Sequence, residues 1–348
     1  MTVNRRDVLK LTGVSMAAGA AGCLGSGDES GNGNEDGEDS PPTYAQWLTT
    51  DDEGAVGFIY IDWSDFEDSE SDDETQDDEL GEEYQNDPMM GLPMAGTIAA
   101  GFAIGFGLSS YGLTGVLEAT DSEDVESLES SANATLVTNQ AVVLPGDIDT
   151  DEVADILTAE PESAFARQYE RTDGIDEYDI FTPADGSSDA IAVGEGAIVF
   201  VSGNEIADPV AAVKTPIEAA AGDAERATEA VADVEWFLSA AGHGTVAYGG
   251  YGDEFETNPS GDSGTSGDGM FSDVEYTELE GLEGGVSTLS FDGDGGGSGE
   301  FAAVLGDADA SALEESLGAS ADERSVDVSD GRVTASATWN SATWNDGE

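Results

Sequence analysis

The sequence predicts an α+β fold. The expected form is an antiparallel or mixed sheet with helices on one face, built from two strand–helix–hairpin units of split-βαβ, ferredoxin-like type. Three observations carry this. Ala141–Asp149 and Ala302–Asp309 are both apolar runs that end in a Gly-Asp-x-Asp turn and lead into a helical pattern. Each unit then closes on a hairpin with an acid-Gly turn, Glu195-Gly196 in the first and Asp330-Gly331 in the second. Ala55–Ile61 adds a strand rich in β-branched and aromatic residues. With 348 residues, 39% of them hydrophobic, the chain is long enough to bury a real core.

The first element in chain order is not part of that fold. Asn4-Arg5-Arg6-Asp7-Val8-Leu9-Lys10 precedes an uncharged stretch, Leu11–Gly22, that closes on Ala20-Ala21-Gly22-Cys23. Cys23 is the only cysteine. A paired arginine, a short apolar region and a small-residue cleavage site are the parts of an export signal. The pattern resembles a twin-arginine signal peptide ending in a lipobox, with Val8 where Phe is common and Ala20 where Leu is common. The resemblance implies export of the folded protein, cleavage after Gly22 and lipid on the Cys23 thiol. It places the mature chain on the extracellular face of the cell membrane, with membrane lipid as its one implied partner. Residues 23–42, Gly, Ser, Asp, Glu and Asn closing on Pro41-Pro42, read as a disordered acidic tether.

Charge dominates the rest. The chain has 76 Asp+Glu against 9 Lys+Arg, a net −67. Removing residues 1–22 takes away three positive charges and one negative and leaves −69. No basic residue lies between Lys10 and Arg167. Such a charge strains a compact state by self-repulsion unless salt screens it. The composition resembles that of proteins from extreme halophiles. It predicts folding that needs high salt, which circular dichroism across a salt series reads. Nucleic acid is excluded as a partner, because no basic patch exists to neutralise phosphates.

The α+β domain is expected over residues 43–340, with repeats at 136–203 and 299–340. Disordered insertions are expected at about 65–87, where 13 of 23 residues are acidic, and at 256–273, a Gly/Ser/Asp loop. Met89–Leu117 carries no charge over 29 residues, long enough to nominate a membrane span. Seven glycines dilute it, and a single span would separate the strand before it from the repeat after it. A buried, Gly-rich helix or helical hairpin packed by close backbone contact is therefore expected, with Gly101-x-x-x-Gly105 compatible with either reading.

Within the units, Asp149 with Glu152 and Ser311 with Glu314 have the spacing of capping boxes. Val153, Ile156 and Leu157 line one helical face, and Leu313 and Leu317 line its counterpart. An extra strand is expected around Tyr178–Phe181. Between the units, one helix starts at Asp208-Pro209 and carries Val210, Val213 and Ile217. A second, near Ala227–Ala241, carries Val231, Val234, Phe237 and Leu238 and stops at Gly242; Thr245–Gly250 reads as a strand.

Catalytic motifs are missing. The sequence has no Gly-x-Ser-x-Gly, no phosphate-cradling glycine loop, and one histidine, His243, read as an exposed turn after a helix. No cofactor and no metal are expected. Zinc and iron need His or Cys. Asp147-x-Asp149-x-Asp151 and Asp292-x-Asp294 imitate the start of a calcium loop without its glycine or its final glutamate. Asn133-Ala134-Thr135 is the one N-glycosylation sequon. Taken together, signal, tether, strand, uncharged segment and repeated units resemble haloarchaeal surface lipoproteins. That family implies a location and a fold type and supplies no activity. The expected function is a non-enzymatic binding or interaction module, with no catalytic residue assigned. The alternatives are a carboxylate-dependent extracellular hydrolase and a membrane-inserted component acting through residues 89–117.

Overall fold

A computed structural model describes residues 40–64, 86–117, 128–161, 167–201, 206–252, 276–292 and 296–340. The signal, Cys23, nearly all of the tether, residues 65–85 of the acidic insertion and the whole 256–273 loop lie outside the described residues.

A 3-10 turn at Thr43–Trp47 leads to β1 (Val56–Asp62), helix α1 (Pro88–Tyr111), β2 (Ser131–Ala132), β3 (Ala134–Thr138) and β4 (Val142–Asp147). Helix α2 (Thr150–Thr158) is followed by β5 (Tyr169–Ile175), β6 (Tyr178–Pro183), β7 (Ala190–Gly194) and β8 (Ala197–Val201). Helices α3 (Pro209–Ala221), α4 (Ala227–Ala230) and α5 (Ala232–Ala241) come next. The chain then runs through β9 (Val246–Tyr251), β10 (Gly284–Phe291), β11 (Gly297–Val304), α6 (Ala310–Ser316), β12 (Glu323–Ser329) and β13 (Arg332–Trp339).

One large antiparallel sheet joins the strands in the order β12-β13-β11-β10-β9-β1-β3-β4-β8-β7-β6-β5, with β2 on β4. The order reads alike outward from the central β1–β9 pair. One side runs β3, β4, β8, β7 and the other β10, β11, β13, β12. In each half a strand feeds a helix and then a hairpin, β4–α2–β7–β8 and β11–α6–β12–β13, and the first half adds the β5–β6 hairpin. Because β8 lies antiparallel to both β4 and β7, and β13 to both β11 and β12, the unit's strands before and after each helix, β4 and β7 or β11 and β12, run parallel with one strand between them.

One correction concerns the helices, which cover both faces and not one. Along β7 and β8, Ala190, Ala192, Val199 and Val201 join one core with Val213, Ile217, Val234 and Phe237 from α3 and α5. The alternate residues Ile191, Val193, Ile198 and Phe200 join another with Ile104 and Leu108 of α1 and Val153 and Leu157 of α2. Leu313 of α6 and Leu317 just after it continue that second face beyond the centre, with Met89, Met90 and Leu92 at the other end of α1. Every position of β7 and β8 is buried. An apolar run without alternation is the sequence trace of such two-sided burial.

Helix α1 is one continuous helix, not a hairpin. It passes the length and composition test for a membrane span, with a mean hydropathy of 1.5 over its most apolar window, of which 56% is buried. It packs across β1, β9, β10 and β11. Asp87, expected inside a disordered insertion, is fully buried and caps it. Its carboxylate accepts from Met89 N (3.1 Å), Gly318 N (3.1 Å), Ser320 N (3.0 Å) and Ser320 Oγ (2.7 Å). Four donors, three of them across the core, replace the water a buried carboxylate loses. Pro93 sits inside the helix and lacks the N–H that would reach Met89 O. Buried Ser287 Oγ donates to that carbonyl instead, at 3.0 Å. At the far end Tyr111 Oη lies 2.7 Å from Val201 O and 3.1 Å from Ala190 O.

Several local details differ from the sequence expectation. Asp330 (φ 53°) and Gly331 (φ 78°) form the left-handed turn predicted for β12–β13. Neither Glu195 nor Gly196 is left-handed, so that hairpin turns by another route. Asp149 caps α2 through Asp151 N and Glu152 N, but Glu152 turns away to Ser130, accepting from its N (2.9 Å) and Oγ (2.7 Å). The cap of α6 is Asp309, not Ser311. The helix expected over 227–241 breaks at Val231, where the backbone is extended.

Candidate functional site

Four adjacent central strands converge at one end of the sheet. β1 finishes at Asp62, β3 begins at Ala134, β4 passes Pro145, and β9 starts three residues after His243. The 3-10 turn that carries Tyr44 and Trp47 closes over this end. A cavity of about 260 Å³ opens there. Its inner wall is Tyr44, Trp47, Tyr60 and Asp62, and its exposed rim includes Thr43, Gln46, Ser64, Asn133 and His243.

The inner wall is tightly arranged. Tyr44 stacks on Tyr60 with ring centroids 4.4 Å apart, and His243 meets the Tyr60 ring edge-on at 5.6 Å. Tyr60 Oη donates to Asp62 Oδ2 at 3.3 Å. Ser64 donates to Asp62 Oδ1 from its N (3.1 Å) and from its hydroxyl. Tyr44 is 2% exposed, and its hydroxyl has no hydrogen-bond partner among the described residues. Burial first, and the neighbouring Tyr60 second, push the Tyr44 hydroxyl well above the usual phenol range, so it stays a neutral O–H.

Ser64, Asp62 and His243 all line the cavity, yet they do not form a catalytic triad. The serine hydroxyl is spent on the aspartate. Among the described residues His243 makes ring contacts to Tyr60 and Tyr44 and no hydrogen bond. Nothing there takes the serine proton. The lining also holds one carboxylate, Asp62, where a glycosidase needs two. His243 is exposed in a turn after a helix, as the sequence implies, but it faces a site the sequence did not reveal. Tyr60-x-Asp62-x-Ser64 ends one strand and His243 precedes another 180 residues later, so only the β1–β9 pairing unites them.

No lysine or arginine lines this cavity. All six Lys and Arg of the described residues are engaged elsewhere. Arg167 pairs with Asp189, Arg171 with Asp179, and Lys214 with Asp173. Arg332 pairs with Asp233 at 3.0 Å and lies over Trp236. Arg226 donates to Ala219 O and Ala220 O at the end of α3, and Arg324 to Glu315 O and Leu317 O at the end of α6. These last two match cations to carbonyl-rich helix ends.

The remaining sequence-marked residues are accounted for. Arg5, Arg6, Gly22 and Cys23 lie outside the described residues. Asn133 is exposed at the cavity rim, while its sequon partner Thr135 is buried and accepts from Trp63 Nε1 at 2.9 Å. A glycan on Asn133 would stand at the cavity mouth. Asp149 is a helix cap and Asp292 accepts from Gly296 N. Among the described residues no three His, Cys, Asp or Glu side chains are grouped to hold a metal.

The fold and cavity together define a large antiparallel α+β protein with a small polar cavity at one end of its central strands. No protein-family model matches the chain, and no curated protein matches it. Among solved structures, crystal form I of TP0453 is similar at 8% identity and a TM-score of 0.40. The match covers 86% of this chain and 93% of that one. Crystal form III of the same protein gives 8%, 0.40, 87% and 95%. At that overlap the likeness carries no argument about function.

Proposed function

We propose that this chain is a lipid-anchored module on the extracellular face of the cell membrane, and that it binds a ligand without transforming it. The location rests on Arg5-Arg6, the uncharged stretch and Cys23. The binding role rests on one observation: a cavity at the end of the central strands whose only carboxylate is already bonded to Ser64 and Tyr60, with no nucleophile–base pair beside it. Hydrolysis by carboxylates is the weaker reading because the lining supplies one acid. Membrane insertion through residues 89–117 is weaker too, because α1 is fastened at both ends by buried polar contacts. We also read the two matching halves of the sheet as duplicated strand–helix–hairpin units, the finer form of the predicted repeat.

Fractionation of cells that express Cys23→Ser tests the anchor. The variant is expected in the soluble or secreted fraction and the parent on the membrane. Equal membrane retention of both would remove the lipid from the proposal.

A further inference from the structure

We infer that the cavity beside His243 takes an uncharged polyhydroxylated ligand of about one sugar ring. This rests on the binding-module reading and names the ligand class for the same site. Charge narrows the class first. No lysine or arginine lines the cavity and every described one is engaged elsewhere, so a phosphate, sulfate or carboxylate ligand finds no permanent cation to pair with. Asp62 is the sole carboxylate, and two hydroxyl donors and one amide N–H already hold it. Those donors fill most of its acceptor sites and leave little of it to hydrogen-bond a cationic ligand directly.

The polar groups that remain suit hydroxyls. Gln46 is an amide with a donor and an acceptor, Thr43 is a hydroxyl, Ser64 Oγ keeps its acceptor lone pairs, and His243 has no hydrogen bond of its own among the described residues. A sugar hydroxyl both donates and accepts, so it fits such a mixed set where a purely accepting or donating ligand does not. The buried Tyr44 hydroxyl adds an independent sign. A polar atom that lost water on folding and gained no protein partner costs about 1–3 kcal/mol, and Tyr44 belongs to the cavity lining, so a ligand hydroxyl that reached this atom would recover the cost. Ring faces and edges of Trp47, Tyr60 and His243 supply the apolar surface that the C–H face of a sugar ring packs on. A volume of about 260 Å³ lies just below the usual small-ligand range of ~300–1,000 Å³ and admits one ring, not a chain.

The full chain, with Asn133 shown unmodified by mass, is titrated at high salt by ligand-observed NMR. The probes are D-glucose, D-mannose, D-galactose and N-acetyl-D-glucosamine, with tetramethylammonium and sulfate alongside. At least one sugar is expected to bind and both ions to fail. Tyr44→Phe should then weaken sugar binding about tenfold, the equivalent of one hydrogen bond of ~1.4 kcal/mol, while its melting temperature stays level or rises. Gln46→Ala, on the exposed rim, should weaken binding without changing stability. Unchanged affinity in both variants would place the sugar elsewhere and overturn the inference. Preferred binding of tetramethylammonium would overturn it as well, yet leave the binding module standing. Binding of none of the probes rejects the sugar class, while the Cys23→Ser fractionation separately decides the anchored location.

Discussion

Gly96 and Gly107 face the sheet from α1, while Gly101 and Gly105, on the same helix, face away from it. A Cβ on Gly107 would stand 2.4 Å from Phe200 Cε2, and one on Gly96 would stand 2.8 Å from Tyr248 Cδ2. A Cβ on Gly101 or Gly105 would meet nothing within 4 Å. All four read alike in sequence. The GxxxG spacing drew attention to the outward pair, yet close packing belongs to the inward pair, whose spacing of eleven also keeps one helical face. A spacing shows which residues share a face, and only the partner surface shows which face is buried.

The largest expected effect comes from the polar end of the buried face. Asp87→Ala removes the cap of α1 and leaves Gly318 N, Ser320 N and Ser320 Oγ without their acceptor inside the core. Each stranded buried donor costs about 1–3 kcal/mol. A loss on the order of 3 kcal/mol or more is expected in chemical denaturation, with Asp87→Asn intermediate because one acceptor oxygen survives. If Asp87→Ala melts like the parent, the helix is not held at this end and the inward–outward distinction loses its main support.

Gly107→Ala should come next. The new methyl must displace the Phe200 ring, which is fully buried and touches Tyr111. Overpacking of this kind costs ~1–3 kcal/mol, only partly offset by the ~0.5–1 kcal/mol that alanine contributes in a helix. Gly101→Ala should do the opposite and stabilise by about 0.5–1 kcal/mol, because only the helix term operates. Opposite signs for one substitution on one helix would be the sharpest confirmation of the two faces. Equal signs would dissolve them.

The same contrast explains how much was legible in the sequence. Helix boundaries with local chemistry were readable: Pro209 after the Asp208 cap, Gly242 at the end of α5, and Asp149 before α2. So were the order of strand, helix and hairpin in each unit and the core position of most of residues 89–117. Features set by distant partners were hidden. β10 escaped notice because Gly284, Gly285, Ser287 and Thr288 do not look like a buried strand. Ser287 is there to serve the carbonyl that Pro93 leaves free, across 198 residues. Edge strand β5, exposed at most positions, lacked any apolar pattern. The cavity was hidden for the same reason. Tyr60, Asp62 and His243 meet only because β1 pairs with β9, and pairing order is not written in either strand. Two-sided burial likewise needed knowledge of which helices returned to which face.

The smallest effect, and the one that decides between a core helix and a membrane helix, is expected at Phe106. It is 76% exposed on the outward face, with Ile98 at 40% on the same helix. An exposed ring contributes little to folding, so Phe106→Ser should change stability by less than about 0.5 kcal/mol. Two isolated apolar side chains are also ordinary for a soluble surface. Insertion, by contrast, would require α1 to leave the sheet. Ile104, Leu108 and Tyr111 would lose their core, and the Asp87 and Tyr111 hydrogen bonds would break. The unlipidated Cys23→Ser protein should therefore not float with phosphatidylglycerol vesicles at high salt, with or without Phe106. If it floats, and Phe106→Ser abolishes the flotation while stability is unchanged, the outward face is a lipid contact. The helix would then serve two solvents, with Gly107 turned to the sheet and Phe106 turned to the bilayer.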